Sequence, residues 1–356
     1  MIDFFIKVKQ QEAQNLPFVI YRKPYKTEIR GFFQKNDHLY FAETLDETGF
    51  VFAPFDGSQM ILIPKNQSVI WEAEMTSFAV NNVTAIAKDV ENSEQKAAFE
   101  SLIQKAIDNI KRGDFSKVVL SRKEVLAIPD FDLVAVFTRL IQHFPTVFCY
   151  CWYHPKIGLW IGATPERLLK ASRKKFCTMA LAGTQNFEGK TDVIWESKEV
   201  EEQQFVTDFI LENLKGLTSE LAISSPYTVQ AGNVLHIKTD IEGVINKTSK
   251  LNQVVSVLHP TPAVCGLPKQ EAKDFILENE GYDREYYTGF LGELNKKDFA
   301  EKKQKSDLYV NLRCMQIKDK KAHLYMGCGI TKESIPEKEW NESVNKSMTM
   351  KSVLRS

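Results

Sequence analysis

Two predicted helices each carry a pair of glutamates at a spacing that places both carboxylates on one face. Glu199 and Glu202 lie three residues apart in the stretch ESKEVEEQQFVTDFILENL, and Glu339 and Glu342 repeat that spacing near the end of the chain. Residues three apart on a helix are neighbours on its surface. If the two helices meet, four carboxylates can hold one hard divalent cation, and oxygen ligands with retained waters suit magnesium better than zinc.

The same spacing also fits a solvent-exposed helix face. Such glutamates most often lie in solvent, and Glu342 with Lys346 four residues later is an ordinary surface ion pair. On the first helix, Val206 and Phe209 continue the face of the glutamates toward the interior, where an unpaired carboxylate is costly. Both interpretations stay open, because the spacing does not show that the helices meet.

Short apolar strands and amphipathic helices must position these glutamates. The first ninety residues predict strands broken by Pro and Gly, and an apolar stripe predicts a helix over 93–111, with Ser93 as its cap and Gly113 as a C-cap glycine. Further strands are predicted at KVVLSR, VFCYCWY, GLWIGA, TMALAG, NVLHIKTDIEGVI, YYTGFLGEL, DLYVNLRCMQI and AHLYMGCGI, before a final helix that opens at Pro336. The order indicates a mixed α/β fold of the α+β type, with long antiparallel hairpins and no regular βαβ alternation.

The charge and cysteine content exclude several classes of protein. Forty-six Lys and Arg balance 46 Asp and Glu, so the chain lacks the basic surplus typical of nucleic-acid binders. The lysine-rich segment 295–307 is interpreted as a solvated hairpin loop. No apolar run approaches the roughly 20 residues of a membrane-spanning helix, and the six cysteines form no CxxC pair. We expect a cytoplasmic protein with reduced thiols, no zinc site, and neither a nucleic-acid nor a membrane partner.

Nine sequence strings, in order, resemble the chorismate-utilising enzymes, the anthranilate synthase component I-like family, and among them the isochorismate synthases most closely. The strings are KVVLSR (117–122), IGATPERLL (161–169), LAGT (181–184), KEVEEQQFV (198–206), LHPTPAVCGLPK (258–269), DREYYTGFLG (283–292), NLRCMQI (311–317), GCGI (327–330) and SIPEKEWNES (334–343). The resemblance implies a single large unit in which two antiparallel sheets pack face to face, with helices outside and the active site in a cleft. Residues 1–92 are expected to form the N-terminal strand-rich part of that fold, and residues 93–356 its chorismate-binding catalytic region.

The resemblance also implies a reaction, the conversion of chorismate to isochorismate by attack of water on the ring and loss of the distal hydroxyl. Such a reaction needs a base, an acid and an electrostatic clamp on the ring carboxylate. Lys117 matches the general base, since a lysine in an apolar wall can have a lowered pKa; by pattern alone, a strand-end lysine extending to water is the more frequent case. Glu166 matches the general acid, although by itself it could also be a glutamate at a helix N-terminus.

The remaining implied roles concern the metal and the substrate. Glu202 and Glu342 match the principal Mg²⁺ ligands. Glu199 and Glu339 match water-mediated or outer partners of that ion. Arg313 offers a planar fork for the pyruvyl carboxylate. Further substrate contacts are expected from Gly183, Thr184, Gly327, Gly329, Lys346, Tyr287, Gly289 and His236. For His236, a strand histidine satisfied by its neighbours is an equal alternative.

Local differences separate the members of the family. Ala182 stands where aminodeoxychorismate synthases place a nucleophilic lysine, and VTDFILENL stands where anthranilate synthases, which take ammonia from a glutaminase, carry an RND-type string. The string HPTPAVCG (259–266) resembles the isochorismate synthase version of its loop. We therefore expect a monomeric isochorismate synthase of menaquinone or siderophore biosynthesis that binds chorismate and Mg²⁺ and needs no glutaminase subunit. Salicylate synthase, anthranilate synthase component I and a non-catalytic chorismate-binding protein are the alternatives.

Overall fold

The computed structural model describes residues 1–75, 92–231, 234–298 and 303–354. The strands, numbered in chain order, are β1 (Phe18–Arg22), β2 (Glu28–Gln34), β3 (Tyr40–Ala42), β4 (Gly49–Ala53), β5 (Met60–Pro64), β6 (Ser68–Glu74), β7 (Lys117–Ala127), β8 (Phe148–His154), β9 (Gly158–Thr164), β10 (Arg167–Ser172), β11 (Lys175–Asn186), β12 (Thr218–Ile223), β13 (Tyr227–Ala231), β14 (Val234–Ile245), β15 (Gly266–Leu267), β16 (Phe290–Asp298), β17 (Lys303–Val310), β18 (Cys314–Lys318) and β19 (Lys321–Ile330). The helices are α1 (Ile2–Ala13), α2 (Ser93–Arg112), α3 (Leu133–His143), α4 (Ser197–Leu214), α5 (Leu251–Leu258), α6 (Lys269–Asn279) and α7 (Pro336–Leu354).

The strands form two antiparallel sheets. The first has the order β15-β7-β19-β18-β9-β8-β1-β2-β6, and the second has the order β12-β14-β11-β10-β17-β16-β4-β5-β3, with β13 paired to β14. Strands β1 to β6 extend both sheets, so the N-terminal part belongs to the same fold as the rest. Residues 76–91, which the sequence places in that strand-rich part, lie outside the described residues.

Alternation along β8 shows how the sheets pack. Phe148, Tyr150 and Trp152 enter a buried aromatic layer that also contains residues of β4, β5, β16 and β17, from the second sheet. Cys149 and Cys151 point the other way, into a core shared with α1, α3 and α7. Successive side chains of a strand face opposite sides of its sheet. The expected arrangement, two sheets face to face with helices outside, is confirmed.

Three local predictions from the sequence are wrong. The first ninety residues contain a helix, α1, in addition to strands; Phe4 and Val8 are both buried one helical turn apart. The cap of α2 is Asn92, whose side chain accepts a hydrogen bond from the Gln95 amide at 3.0 Å, and Ser93 is the first helical residue. Much of the segment interpreted as a loop is paired strand, since Lys296 to Asp298 pair with Lys303 to Lys305; residues 299–302 lie outside the described part of the chain.

A fourth difference matters for the site. The run DLYVNLRCMQI, predicted as one strand, is split into β17 and β18 by residues 311–313. Arg313 has the left-handed φ of 47° that breaks the strand. Asn311 fixes the break, because its side chain donates to the Tyr286 carbonyl at 2.8 Å and accepts from the Tyr150 hydroxyl at 2.5 Å. Arg313, at this break between the two strands, lines the cleft described below.

No helix among the described residues combines the length and the apolar character needed to cross a membrane.

Candidate active site

A cleft of about 160 Å³ lies where β11, β14 and β19 meet helices α4 and α7. It draws on every part of the chain that the sequence singled out, including the two glutamate helices and the segment that precedes β10. The predicted site residues that line it are Glu166, Gly183, Thr184, Glu199, Glu202, His236, Tyr287, Arg313, Gly327, Gly329, Glu339, Glu342 and Lys346. Two predicted residues, Lys117 and Gly289, are not among its lining residues.

The glutamates of α4 and α7 reach the same place. A Cβ atom at Gly329 would lie 3.3 Å from Oε1 of Glu202, so α4 touches β19 there. Cys328 is on the same strand, β19, and its thiol and carboxylate oxygens of Glu339 and Glu342, on α7, lie within 4.8 Å of one another. Helix α7 therefore also touches β19. Glu339 is buried, at 7% exposure. The alternative of two solvated helix faces therefore does not describe these glutamates.

The donors and their charges fit a divalent cation. Oε2 of Glu199 is buried without a hydrogen-bond partner among the described residues, and a buried carboxylate oxygen without a donor or a cation is costly. Two of the other carboxylates are compensated by lysines: Glu202 by Lys117, and Glu342 by the ammonium of Lys346 at 2.6 Å. An all-carboxylate donor set of this kind is one that Mg²⁺ accepts.

Lys117 lies behind the floor of the cleft, at the start of β7. Its side chain is 5% exposed, and its Nζ lies 2.5 Å from Oε1 of Glu202. Gly329 leaves room for this contact, because a Cβ there would lie 3.2 Å from Cε of Lys117. The lysine does not extend to water, and the structure pairs it with a glutamate predicted to hold the metal.

Glu166 lies between two strands of different sheets, two residues after the end of β9 and directly before β10, and not at a helix N-terminus. Burial raises the pKa of its carboxyl from 4.5 to about 7, although the Thr261 hydroxyl and the charge of Lys117 act in the opposite direction. Thr261 donates to Oε1 of Glu166 at 3.4 Å. A carboxyl with this pKa holds a proton near neutrality and can give it away. Sequence reasoning missed Thr261, although it lies in the HPTPAVCG string.

His236 shapes the turn that carries Gly183 and Thr184. Its Nδ1 lies 2.7 Å from the Gly183 carbonyl and 3.3 Å from the Thr184 hydroxyl. Burial, followed by the positive charge of Arg313, lowers the pKa of His236 to about 4, so the imidazole is neutral at pH 7. Gly183 has φ 69°, and a Cβ there would meet Cβ of Glu199 at 3.1 Å. The histidine is therefore both satisfied by its neighbours and part of the cleft wall.

Arg313 and Lys346 supply positive charge to the cleft. Burial lowers the pKa of Arg313, with Tyr287 and Glu342 opposing that effect. Burial also disfavours the charged form of Lys346, but the Glu342 carboxylate and Cys328 together more than offset this, and the pKa of Lys346 is raised. Lys346 also donates to the Gly327 carbonyl at 2.8 Å. The cleft thus presents two fixed cations beside its carboxylates.

Gly289 does not line the cleft, contrary to the prediction. A Cβ there would lie 2.0 Å from the Ala53 carbonyl, so the glycine is needed where the chain passes β4. Tyr287, from the same string, does line it, and a Cβ at Gly327 would lie 2.9 Å from its hydroxyl. Tyr287 and Gly289 therefore have different surroundings: the tyrosine faces the cleft, and the glycine lies against the backbone of β4.

A buried arginine joins two walls of the cleft and was missed by the sequence reasoning. Arg284 pairs with Glu280 at 2.5 Å and donates to the carbonyls of Val119, on β7, at 2.7 Å and Val264 at 3.0 Å. Both valines line the cleft. The DREYYTGFLG string contains this arginine, but only the site roles of Tyr287 and Gly289 were inferred from it.

Comparison with known proteins places this site in a family. Residues 59–355 match the model of a family described as chorismate binding enzyme, and the chain therefore belongs to the chorismate-binding enzymes. It is 29% identical to the isochorismate synthase EntC of Escherichia coli K12, over 73% of this chain and 67% of that protein. It is 31% identical to the isochorismate synthase MenF of the same strain, over 73% of this chain and 61% of that protein.

A solved structure shows the same fold. The crystal structure of a putative 2,3-dihydroxybenzoate-specific isochorismate synthase, DhbC from Bacillus anthracis, superposes with a TM-score of 0.77. The match covers 98% of this chain and 99% of that chain at 21% sequence identity. The anthranilate synthase component I-like fold inferred from the nine strings is confirmed.

Proposed function

We propose that this protein is an isochorismate synthase that converts chorismate to isochorismate with Mg²⁺. The observation that carries the proposal is the meeting, in one cleft, of a buried carboxyl with a pKa of about 7 and two glutamate pairs backed by a lysine. The isomerisation needs these three things: an acid, a cation site and a base. The likeness to EntC and MenF supports the same choice.

In the proposed reaction, water attacks the ring carbon beside the one that bears the carboxylate, the double bonds shift, and the distal hydroxyl leaves. Once Glu202 is taken up by the cation, Lys117 releases its ammonium proton to solvent, and the neutral amine then takes the proton of the attacking water. Glu166 gives its proton to the departing hydroxyl, which leaves as water, so that atoms and charge balance. Glu202 and Glu342 would hold Mg²⁺, with Glu199 and Glu339 as outer partners, and the chemistry that such an ion would supply is positive charge for the ring carboxylate.

The substrate contacts follow from the fixed charges. Arg313 offers two parallel donors to the pyruvyl carboxylate, and Lys346 lies on the same helix as Glu342, facing the same cleft. His236, being neutral, adds no charge and holds the turn at Gly183 and Thr184. Two anionic groups of the substrate are thus met by two sources of positive charge, the side chains and the metal.

The test is product analysis of chorismate turnover with and without Mg²⁺. We expect isochorismate, dependent on Mg²⁺, with little pyruvate. Stoichiometric pyruvate with salicylate would assign the protein as a salicylate synthase, and anthranilate formed from ammonia would assign it as an anthranilate synthase component. Glu342→Gln should abolish the Mg²⁺ response. Glu337→Gln is the matched control, since its side chain lies on the same helix and is 72% exposed. No turnover of chorismate under any of these conditions would refute the proposal.

We also propose that the protein acts as a monomer in the cytoplasm, without a glutaminase subunit. The proposal is supported by the resemblance to the isochorismate synthases. It is also supported by Ala182, which stands where aminodeoxychorismate synthases carry a nucleophilic lysine. Light scattering on the purified protein tests its mass against the 40.7 kDa of one chain. A stable dimer, or activity only in the presence of an added subunit, would contradict it.

A further inference from the structure

Arg284 uses every donor of its guanidinium in the interior of the protein. Its Nε and Nη2 donate to the two carboxylate oxygens of Glu280 at 2.7 and 2.5 Å, and the two side chains are 2% and 1% exposed. Nη2 also donates to the Val119 carbonyl at 2.7 Å, and Nη1 donates to the Val264 carbonyl at 3.0 Å and the Thr288 hydroxyl at 3.2 Å. These five hydrogen bonds match the five N–H groups of an arginine, and a lysine has only three donors.

The ion pair anchors the strand that carries the proposed base. Glu280 accepts hydrogen bonds from the amide and the hydroxyl of Ser121 at 2.7 and 2.9 Å. Arg284 holds the Val119 carbonyl, so two points of β7 are tied to the pair. Lys117 lies two residues before Val119 on this strand. Its backbone is therefore fixed by the ion pair as well as by the neighbouring strands β15 and β19.

The same arginine fixes the turn that holds the proposed acid. The amides of Val264 and Cys265 both donate to the Thr261 carbonyl at 3.0 Å, which closes a tight turn. Arg284 holds the far end of this turn by the Val264 carbonyl. The Thr261 hydroxyl donates to Oε1 of Glu166 at 3.4 Å. A chain of contacts thus runs from the arginine, through the turn, to the Glu166 carboxyl.

Arg284 itself lies outside the cleft. Val119, Val264 and Thr288 line the cleft, whereas Arg284 and Glu280 are not among its lining residues. The arginine can therefore affect the reaction only through the segments that it holds. Such an effect can be large, since a misplacement of reacting groups by about 1 Å can cost about 10²-fold in rate.

We propose that Arg284 is a positioning residue, which joins the strand of Lys117 to the turn of Thr261 and thereby sets the distance between the base and the acid of the reaction. The inference rests on the proposed function, which gives Lys117 and Glu166 these roles. A buried ion pair with a purely structural role would affect folding alone. A positioning role affects the rate of the reaction in protein that has folded.

The experiment compares the steady-state kinetics of wild type, Arg284→Lys, Thr261→Val and the double variant at saturating Mg²⁺. Lysine keeps the positive charge beside Glu280 but cannot make the five hydrogen bonds. Arg313 and Lys346, which would bind the substrate, lie on other segments, between β17 and β18 and on α7. We therefore expect Arg284→Lys to lower kcat at least about tenfold and to leave KM for chorismate near its wild-type value.

The double variant tests the route from the arginine to the acid. Substitutions at independent sites multiply their effects on kcat, whereas residues that act through one another do not. Thr261→Val removes the hydroxyl that contacts Glu166. Arg284→Lys should therefore lower kcat by a smaller factor in the Thr261→Val background than in wild type.

Arg22→Lys is the matched control. Arg22 is fully buried and donates to the carbonyls of Pro145 at 2.6 Å and Val147 at 3.1 Å, and none of these three residues lines the cleft. This variant should lose stability and keep kcat. Urea unfolding verifies that each variant is folded.

A second variant keeps the test decisive if Arg284→Lys does not fold. Arg284→Met combined with Glu280→Gln leaves no unpaired buried charge, lacks the same hydrogen bonds, and should show the same loss of kcat. The role of Arg284 is overturned if a folded variant keeps the wild-type kcat, if Arg22→Lys loses as much, or if Arg284→Lys has the same effect in both backgrounds. A wild type that does not turn over chorismate refutes the proposed function instead, so the two failures are distinguishable.

Discussion

Replacing Glu166 by glutamine tests whether burial keeps this carboxyl protonated near neutrality. The pKa of Glu166 rises from 4.5 to about 7, with burial as the largest cause. One pKa unit corresponds to about 1.4 kcal/mol, so ionisation costs about 3 kcal/mol more in the folded protein than in the unfolded chain. Glutamine has nearly the same shape and cannot ionise, and the variant therefore removes this cost alone.

The folded protein binds the Glu166 proton more tightly than the unfolded chain does. This difference sets the sign of the pH dependence of stability. The stabilisation is fully present below pH 4.5, falls as the pH rises, and is lost above about pH 7. Glu166→Gln should lack this loss. Between about pH 4.5 and about pH 8, the stability of the variant relative to wild type should therefore increase by about 3 kcal/mol.

Urea unfolding across this pH range measures the difference directly, because all other titrating groups are shared by the two proteins. Glu337→Gln, on an exposed side chain, should show no such trend. A stability difference between wild type and Glu166→Gln that stays constant with pH would refute the assignment of a raised pKa. In turnover, the same group predicts that kcat/KM of wild type falls as the pH rises through about 7, and that Glu166→Gln is slower by about 10²–10⁴-fold.

Three more changes probe the base, the metal and the floor of the cleft. Lys117→Met should slow turnover by about 10²–10⁴-fold without weakening Mg²⁺ binding, because it removes a cation paired with Glu202; weaker binding in calorimetry would contradict this. Glu202→Gln should raise the Mg²⁺ concentration for half-maximal activity at least about tenfold, whereas an unchanged Mg²⁺ dependence would exclude Glu202 as a ligand. Gly329→Ala should lower turnover and cost about 1–3 kcal/mol of stability, because its methyl would lie 3.2 Å from Cε of Lys117 and 3.3 Å from Oε1 of Glu202. Full activity with unchanged urea unfolding would contradict this and show that the Lys117–Glu202 pair can move aside.

Strand prediction succeeded where side chains alternate and failed where the local pattern is ambiguous. In β8 the alternation of aromatic residues and cysteines corresponds to two different cores. In α1, Phe4, Ile6 and Val8 alternate as a strand would, but the structure buries Phe4 and Val8, one helical turn apart, and leaves Ile6 48% exposed, which is the pattern of a helix. The split between β17 and β18 was not predictable either, because the contacts of Asn311 with Tyr150 and Tyr286 are remote in sequence.

The candidate site shows the same division. Residue type and order along the chain were enough to name Lys117, Glu166 and the four glutamates as candidates, and the structure brings them to one cleft or into contact with it; their chemical roles stay predictions. Gly289 was assigned wrongly because a glycine in a recognised string can serve either a ligand or a close approach of two backbones. Gly289 serves the close approach, because the Ala53 carbonyl, far away in sequence, occupies the space that a side chain at this position would need.

The sequence by itself determined the family and the pairing of glutamates on two helices. Only the tertiary structure decided that Lys117 is buried against Glu202, that Glu166 has a pKa of about 7, and that Cys328 lies beside Glu339. The physical reason is that ionisation and metal preference depend on burial and on neighbouring charges. Those neighbours come from strands and helices that are far apart along the chain and meet only when the two sheets have packed.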